Sequence, residues 1–441
     1  MSAEDDDVST GEGSFHPLGE EWEDEMRTQL EESDYDADLG MEMAKDAQRL
    51  VAGELSEDEF HERYHDAVIE EFGVDDRPTE EAWEQAMAET DGPDGPDFGK
   101  ALAAFDGDGE VDRRDAMKKM GAGAAALGLG VWGATDDGET QAQEPPASEG
   151  GFGDHDVQWG MVIDLNKCDG CLSCVVGCHQ ENHTDREGGE HWMYVMTYEE
   201  PAQDGNNFLV RPCQHCTDAP CEKVCPTTAR HTRADGGMVL TEYDVCIGCR
   251  YCQVACPYGV NYFQWEEPVH SEEEIKQMHP EDEYPGQHIF DQNGDRVDSR
   301  PPRGVMGKCT FCPTRQDGLS PQPRGTTACE DACAMDAIHF GDMKDPDSDP
   351  NQYLERVREE RPSANELQAD DASEWPDRPT DTVSTFRLLE EIGTRPNVVY
   401  VGNQPGPEAE QVEGPVTYES LGMTDKRKDT TDESTLGGGL F

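Results

Sequence analysis

The sequence predicts an α+β protein in which a small acidic helical domain precedes a core organised by cysteines. Three observations carry that expectation. All sixteen Cys fall between Cys168 and Cys333, in four groups of four. Residues Trp22 to Met87 contain no Cys and place apolar side chains at helical spacing. Hydrophobic residues make up only 34% of the 441, so an ordinary apolar core cannot run through the whole chain.

Acidic side chains number 98 against 34 basic, a formal net charge of -64. Such a polyanion repels nucleic acid and anionic membrane surfaces, which excludes unaided binding to either. No run of 18 or more apolar residues occurs, so no ordinary membrane span is expected. The excess is not a tail: residues 1–150 alone hold 44 acidic and 10 basic residues, and the rest of the chain is acidic too. Two readings fit. A uniformly acidic, Lys-poor composition resembles that of proteins from salt-loving archaea, where ~1 M salt cuts the Debye length to about 3 Å and screens self-repulsion. The other is a disordered acidic interaction protein. Ordered-looking motifs in the centre favour the first.

Residues 1–90 form the acidic helical domain. Ser56-Glu57-Asp58-Glu59 reads as a capping box, Phe60, Tyr64, Val68 and Phe72 mark one face with Ile69 beside them, and Gly73 is placed to end the helix. Leu39, Met43, Ala47 and Leu50 predict a partner helix before it. This part resembles a small helical extension ahead of some haloarchaeal ferredoxin-like proteins.

Residues 91–150 read as a linker, rich in Pro, Gly and acid at Asp91–Gly99 and again after Gln141. Between these stretches, Ala104 to Asp115 resembles an EF-hand calcium loop. Its first position is Ala104 where a carboxylate is needed, so tight calcium binding is not expected. Arg113-Arg114, Lys118 and the Gly/Ala/Leu run from Met120 to Ala134 resemble a twin-arginine export signal, a route for folded proteins. Such signals sit at N-termini and this one begins at Arg113; export, from an internal signal or a downstream start, is the expectation.

Residues 151–345 hold the cysteines, with a hydrophilic insertion at about 266–302, and residues 346–441 form a C-terminal extension. Cys168, Cys171, Cys174 and Cys178 are spaced C-x2-C-x2-C-x3-C. Cys213, Cys216, Cys221 and Cys225 follow as C-x2-C-x4-C-x3-C, then Pro226. Cys246, Cys249, Cys252 and Cys256 repeat the first spacing, then Pro257. Cys309, Cys312, Cys329 and Cys333 are spaced C-x2-C-x16-C-x3-C.

The run C-x2-C-x2-C-x3-C-P belongs to cluster-binding ferredoxins. Three thiolates on a tight loop hold three corners of an iron–sulfur cube, and the fourth Cys starts a helix that points to a second cluster. A disulfide framework would not explain the fourfold repeat. Structural zinc fits the fourth group alone. Covalent haem needs C-x-x-C-H, and three residues separate Cys174 from Cys178-His179. Sixteen thiolates therefore predict four [4Fe-4S] clusters.

Pro212-Cys213-Gln214-His215-Cys216, Cys221-Glu222-Lys223-Val224-Cys225-Pro226, Cys246-Ile247-Gly248-Cys249-Arg250-Tyr251-Cys252 and Ala255-Cys256-Pro257-Tyr258-Gly259 carry a family resemblance. So do His339-Phe340-Gly341-Asp342 with Asp345-Pro346-Asp347-Ser348, and Leu388 to Val398. Over about residues 157–400 the chain resembles the four-cluster iron–sulfur (beta) subunits of molybdopterin oxidoreductases, the dimethyl sulfoxide, polysulfide and tetrathionate reductase type.

The resemblance implies two interleaved ferredoxin-like modules with crossed ligands. Cys333 would join Cys168, Cys171 and Cys174, while Cys178 joins Cys309, Cys312 and Cys329. Cys256 would join Cys213, Cys216 and Cys221, while Cys225 joins Cys246, Cys249 and Cys252. Where nitrate-reductase-type relatives have Trp, this chain has Cys249, which favours four complete cubes. Ala334 after Cys333, where Pro is usual, and the long fourth spacing depart from the pattern without removing a ligand.

The resemblance further implies an electron-relay subunit with no catalytic site of its own. It would sit between a multi-span membrane quinol/quinone subunit and a molybdopterin catalytic subunit, on the extracytoplasmic face after export or otherwise on the cytoplasmic face. A soluble polyferredoxin serving several redox enzymes is the alternative. Arg250, Arg230 and Lys223 lie in or near ligand loops, as potential-raising cations or as salt-bridge partners. His215, His231 and His183 are expected to hydrogen-bond, not to ligate.

Overall fold

The structure, a computed structural model, describes residues 14–33, 35–75, 77, 156–201, 203–279, 288–360, 384–406 and 409–425. The EF-hand-like loop, the twin-arginine segment and both linkers lie outside the described residues. The chain falls into two compact units: residues 1–54, 152–225 and 229–441 form one, and residues 55–151 with 226–228 the other.

In the smaller unit the described helix runs Glu57–Phe72, as the capping box predicts. The Ser56 Oγ accepts from the Glu59 N–H at 3.2 Å, the Glu59 carboxylate accepts from the Ser56 N–H, and Gly73 closes the helix at φ 73°. Phe60, Tyr64 and Val68 are buried; Phe72 is half-buried and Ile69 is exposed. Three acidic residues in the first turn complement the helix dipole.

The larger unit opens with α1 (Glu20–Glu31), which buries Trp22, Met26 and Leu30, and α2 (Ala37–Val51), capped by the Asp36 carboxylate accepting from the Leu39 N–H. The two helices do not pack only on each other. α2 lies on two short helices of the cysteine core, Pro220–Lys223 and Tyr251–Ala255. Gly40 permits this approach, because a Cβ there would stand 2.5 Å from the Tyr251 ring. The Tyr251 hydroxyl donates to the Asp36 carbonyl at 2.6 Å, and Tyr35 donates to the Ile247 carbonyl. His16 stacks on Trp22 and, with its Nδ1 accepting from the Leu18 N–H, donates from Nε2 to the Cys256 carbonyl at 3.0 Å.

The central sheet has four strands. β1 (Trp159–Asp164), buried along its length, pairs antiparallel with Ile338–Asp342 and parallel with Val398–Val401, which in turn pairs with Thr385–Phe386. A helix at Asp349–Glu360 covers one face, closing Val162, Met343, Tyr353, Val357, Val399 and Val401 into a core. The Tyr353 hydroxyl donates to the Asp164 carboxylate at 2.6 Å. Residues after 345 thus supply an inner strand of the sheet. A second sheet joins Tyr194–Glu200, Gln203–Arg211 and Glu410–Val412, and two small hairpins pair Arg230–Thr232 with Val239–Thr241 and Tyr262–Phe263 with Met306–Gly307. In the hydrophilic insertion, Ser271 caps a helix over Glu272–Met278.

Glu190 is wholly buried, and burial pushes its carboxyl up to about 8; it accepts from the Trp192 Nε1–H and the Asp185 N–H. A raised carboxyl favours folding while protonated, and that contribution is lost as pH climbs from the unfolded value through about 8. Glu190→Gln, which mimics the protonated form, is expected to flatten the fall in melting temperature between pH 5 and 9. Parallel wild-type and variant curves would refute the burial argument.

Candidate metal centre

Each Cys group begins on a tight loop, and the four loops share one backbone device. The residue two after the first Cys adopts positive φ in every group: Gly170 (71°), His215 (41°), Gly248 (73°) and Phe311 (64°). This turn aims the backbone N–H groups and the following Cys toward one point. Glycine serves in two groups; at Gly248 a Cβ would stand 2.3 Å from the Gly304 carbonyl oxygen. The other two groups use bulky rings, and these rings stack on each other at 3.7 Å.

The fold brings the expected thiols together across the sequence. Cys333 stands close enough to Cys168 and Cys174 for their charges to interact, with Cys171 in the same set. Cys178 faces Cys309, Cys312 and Cys329 instead of its sequence neighbours. Cys256 joins Cys213, Cys216 and Cys221, and Cys225 joins Cys246, Cys249 and Cys252. The short helix at Ser173–Asn182 carries Cys174 to the Cys168 set and Cys178 to the Cys309 set, and meets the helix at Ala328–Asp331 across Gly177.

The sets also lie in a row. Cys174 neighbours Cys329, Cys309 neighbours Cys213, and Cys221 neighbours Cys252, so the order runs from the Cys168 set through the Cys309 and Cys213 sets to the Cys246 set. Cys168, Cys171 and Cys333 at one end and Cys246 at the other are half-buried; the remaining twelve are buried.

All sixteen thiols are free of disulfides. Burial pushes Cys168 and Cys246 up to about 11 and Cys309 and Cys329 up to about 12, and holds Cys174, Cys178, Cys216, Cys249 and Cys312 well above the usual thiol value too. Thiolates so buried require a bound cationic partner. Among the described residues no three His, Cys, Asp or Glu side chains converge on one point as a single ion needs. Instead Cys178, Cys309, Cys312 and Cys329 surround a cavity walled by Met161, Trp192 and Phe311. An all-thiol donor set around a space, not a point, fits a cluster better than a mononuclear ion.

Hydrogen bonds to sulfur complete the sites. Backbone N–H groups of His215, Arg230 and Ala337 donate to Cys213, Cys225 and Cys333 at 3.3–3.4 Å, and the Asn182 amide donates to Cys178. Arg230 and Lys308 are buried cations among the thiols, and Arg250 and Arg315 are buried beside Cys249 and Cys312. Lys308, whose ammonium donates to the Val239 and Cys309 carbonyls, was invisible as a site residue in the sequence because nothing marks it beyond its place before Cys309. Arg250 stacks on Phe263 and Trp265 at 5.0 and 4.7 Å. Both ring nitrogens of His215 are hydrogen-bonded: its Nδ1 accepts from the Val239 N–H and its Nε2 donates to the Cys309 carbonyl at 2.9 Å, linking the second and fourth loops. His183 pairs with His279, and His231 lies beside the Ala229 carbonyl.

Two protein families match the chain: the N-terminal region of 4Fe-4S ferredoxin iron–sulfur binding proteins over residues 16–80, and the 4Fe-4S dicluster domain over residues 205–273. A Halobacterium salinarum protein, provisionally named as an iron–sulfur subunit of dimethyl sulfoxide reductase, is 35% identical over 57% of this chain and 81% of its own length. The arsenate respiratory reductase iron–sulfur subunit of a Shewanella species is 36% identical over 45% of this chain and 87% of its own. The chain belongs to the iron–sulfur subunit family of the molybdopterin oxidoreductases.

The menaquinone reductase iron–sulfur subunit of Nitratidesulfovibrio vulgaris is a further relative, 32% identical over 92% of its length. As an iron–sulfur subunit of this family, the protein binds [4Fe-4S] clusters and transfers electrons without a catalytic site of its own. No helix among the described residues is long and apolar enough to cross a membrane. The match over residues 16–80 includes α1 and α2, the helices that lie on the cysteine core of this iron–sulfur subunit.

Proposed function

We propose that the sixteen Cys hold four [4Fe-4S] clusters in two interleaved ferredoxin-like modules, and that the subunit relays single electrons between a membrane quinol/quinone subunit and a molybdopterin catalytic subunit. The observation that carries this reading is the row of four thiol sets whose end members alone are half-buried. A relay needs two accessible ends and a water-excluded interior, and this arrangement supplies both. When bound, the clusters supply one-electron redox chemistry. The chain's own residues do the rest: thiols anchor, the N–H groups of His215, Arg230 and Ala337 stabilise charge on sulfur, and buried side chains such as Phe311, Leu209 and Val254 exclude water.

The subunit would act on the extracytoplasmic face if Arg113-Arg114 directs export, and on the cytoplasmic face if it does not. The test is isolation of the tagged chain from native membranes at high salt. Recovery with a large molybdopterin protein and a multi-span subunit is expected; recovery alone or with many weak partners would replace the relay with a polyferredoxin.

A charge of -64 also supports a halophilic reading. Lowering salt from ~1 M to ~0.1 M lengthens the Debye length from about 3 to about 10 Å. Circular dichroism is expected to show unfolding over that interval, and a chain equally stable at both ends would remove the halophilic reading.

A further inference from the structure

Arg230 opens the strand that follows Cys225 and is 1% exposed. Its backbone N–H donates to the Cys225 sulfur at 3.3 Å, and its Nη2–H reaches the Cys252 sulfur at 3.6 Å. Its Nε and Nη1 have no protein hydrogen-bond partner. The groups that interact most strongly with its charge are Cys252, Cys221, Cys213 and Cys246, two from the Cys213 set and two from the Cys246 set, with no carboxylate among the four. A guanidinium stays charged in proteins, and a buried one without a carboxylate needs another anion.

From this placement we infer that Arg230 is a shared positioning charge for the neighbouring clusters of the Cys213 and Cys246 sets, setting both of their potentials at once. The inference rests on the ligand reading proposed above. A cluster that gains one electron gains one negative charge, and a fixed cation between two clusters stabilises that charge on either. Its unpartnered N–H groups are the donors left for the cluster edge. The guanidinium therefore raises the potentials of both the Cys213 and the Cys246 clusters above where they would stand without it. No bond or proton changes place; one electron enters from the upstream donor and one leaves downstream.

The test is a redox titration of the full-length, cluster-loaded chain at high salt, followed by electron paramagnetic resonance, with iron content measured in parallel. Arg230→Gln keeps the backbone bond to Cys225 and removes the charge. Two of the four potentials are expected to fall by at least a tenfold change in the reduction equilibrium, which is 59 mV for one electron, while the other two hold. Arg358→Gln on the exposed face of the Asp349–Glu360 helix controls for net charge and is expected to move none.

Four unchanged potentials in a fully loaded R230Q chain would overturn the inference, as would a uniform shift matched by R358Q. Should R230Q fail to load iron, Arg230→Lys is the second variant. Its ammonium keeps the charge and loses the fork of N–H donors, so all four potentials are expected to hold near wild type; a fall in the Cys213 and Cys246 potentials would overturn the inference by assigning the effect to the donors and not to the charge. Wild-type chain with fewer than four clusters would instead defeat the ligand reading, a separate failure visible before any substitution.

Discussion

Replacing Cys178 with Ala is expected to give the same residual spectrum as replacing Cys309, and a different one from replacing Cys168. By sequence Cys178 ends the first group, four residues after Cys174. In space it faces Cys309, Cys312 and Cys329 across the cavity, because the Ser173–Asn182 helix carries it one turn beyond Cys174. Its loss leaves three buried thiols without a fourth corner, in a pocket whose walls are apolar. One cluster in four should vanish, about a quarter of the iron. Cys333→Ala should likewise match Cys168→Ala. Electron paramagnetic resonance of the four variants decides the matter: a C178A spectrum matching C168A would return Cys178 to its sequence group and end the interleaved reading.

Gly40→Leu is expected to lift α2 off the Cys213 and Cys246 loops. In an isolated helix the exchange would be favourable by roughly 1 kcal/mol, since Gly is a poor helix former. Here a Cβ would lie 2.5 Å from Cε1 of Tyr251 and 3.1 Å from Leu30, so the added side chain has no room. Overpacking of this kind costs about 1–3 kcal/mol, and the bonds from Tyr251 to Asp36 and from His16 to Cys256 should be lost with the contact. Limited proteolysis is expected to release residues 1–54 from the variant first, and the signals of the Cys213 and Cys246 sets should bleach faster in air. A variant as protease-resistant and as air-stable as wild type would show that α1 and α2 are not a cover for those two loops.

The capping box at Ser56, the stop at Gly73 and the cysteine spacings were legible because each depends on residues within one helical turn or one loop. Leu388 to Val398 was recognisable as a motif but not explicable from sequence. Its purpose appears only when Thr394 meets Tyr258, Asn397 donates to the His215 carbonyl, and Val398–Val401 enters the sheet beside β1. α2 showed its apolar stripe plainly, yet periodicity says that a face is buried, not against what.

What the sequence determined by itself was the chemistry: sixteen thiols in four spaced groups, a net charge of -64, and the helices that local signals cap. The tertiary structure alone decided the neighbours. The row of thiol sets, the stacked His215 and Phe311, and the buried charges of Arg230 and Lys308 all join residues far apart in the chain. Local spacing fixes how three thiols share a loop, because the backbone between them is short. Which distant Cys completes each set, and which cation sits between two sets, is set by how the sheet and short helices pack, since only packing brings those residues within reach of one another.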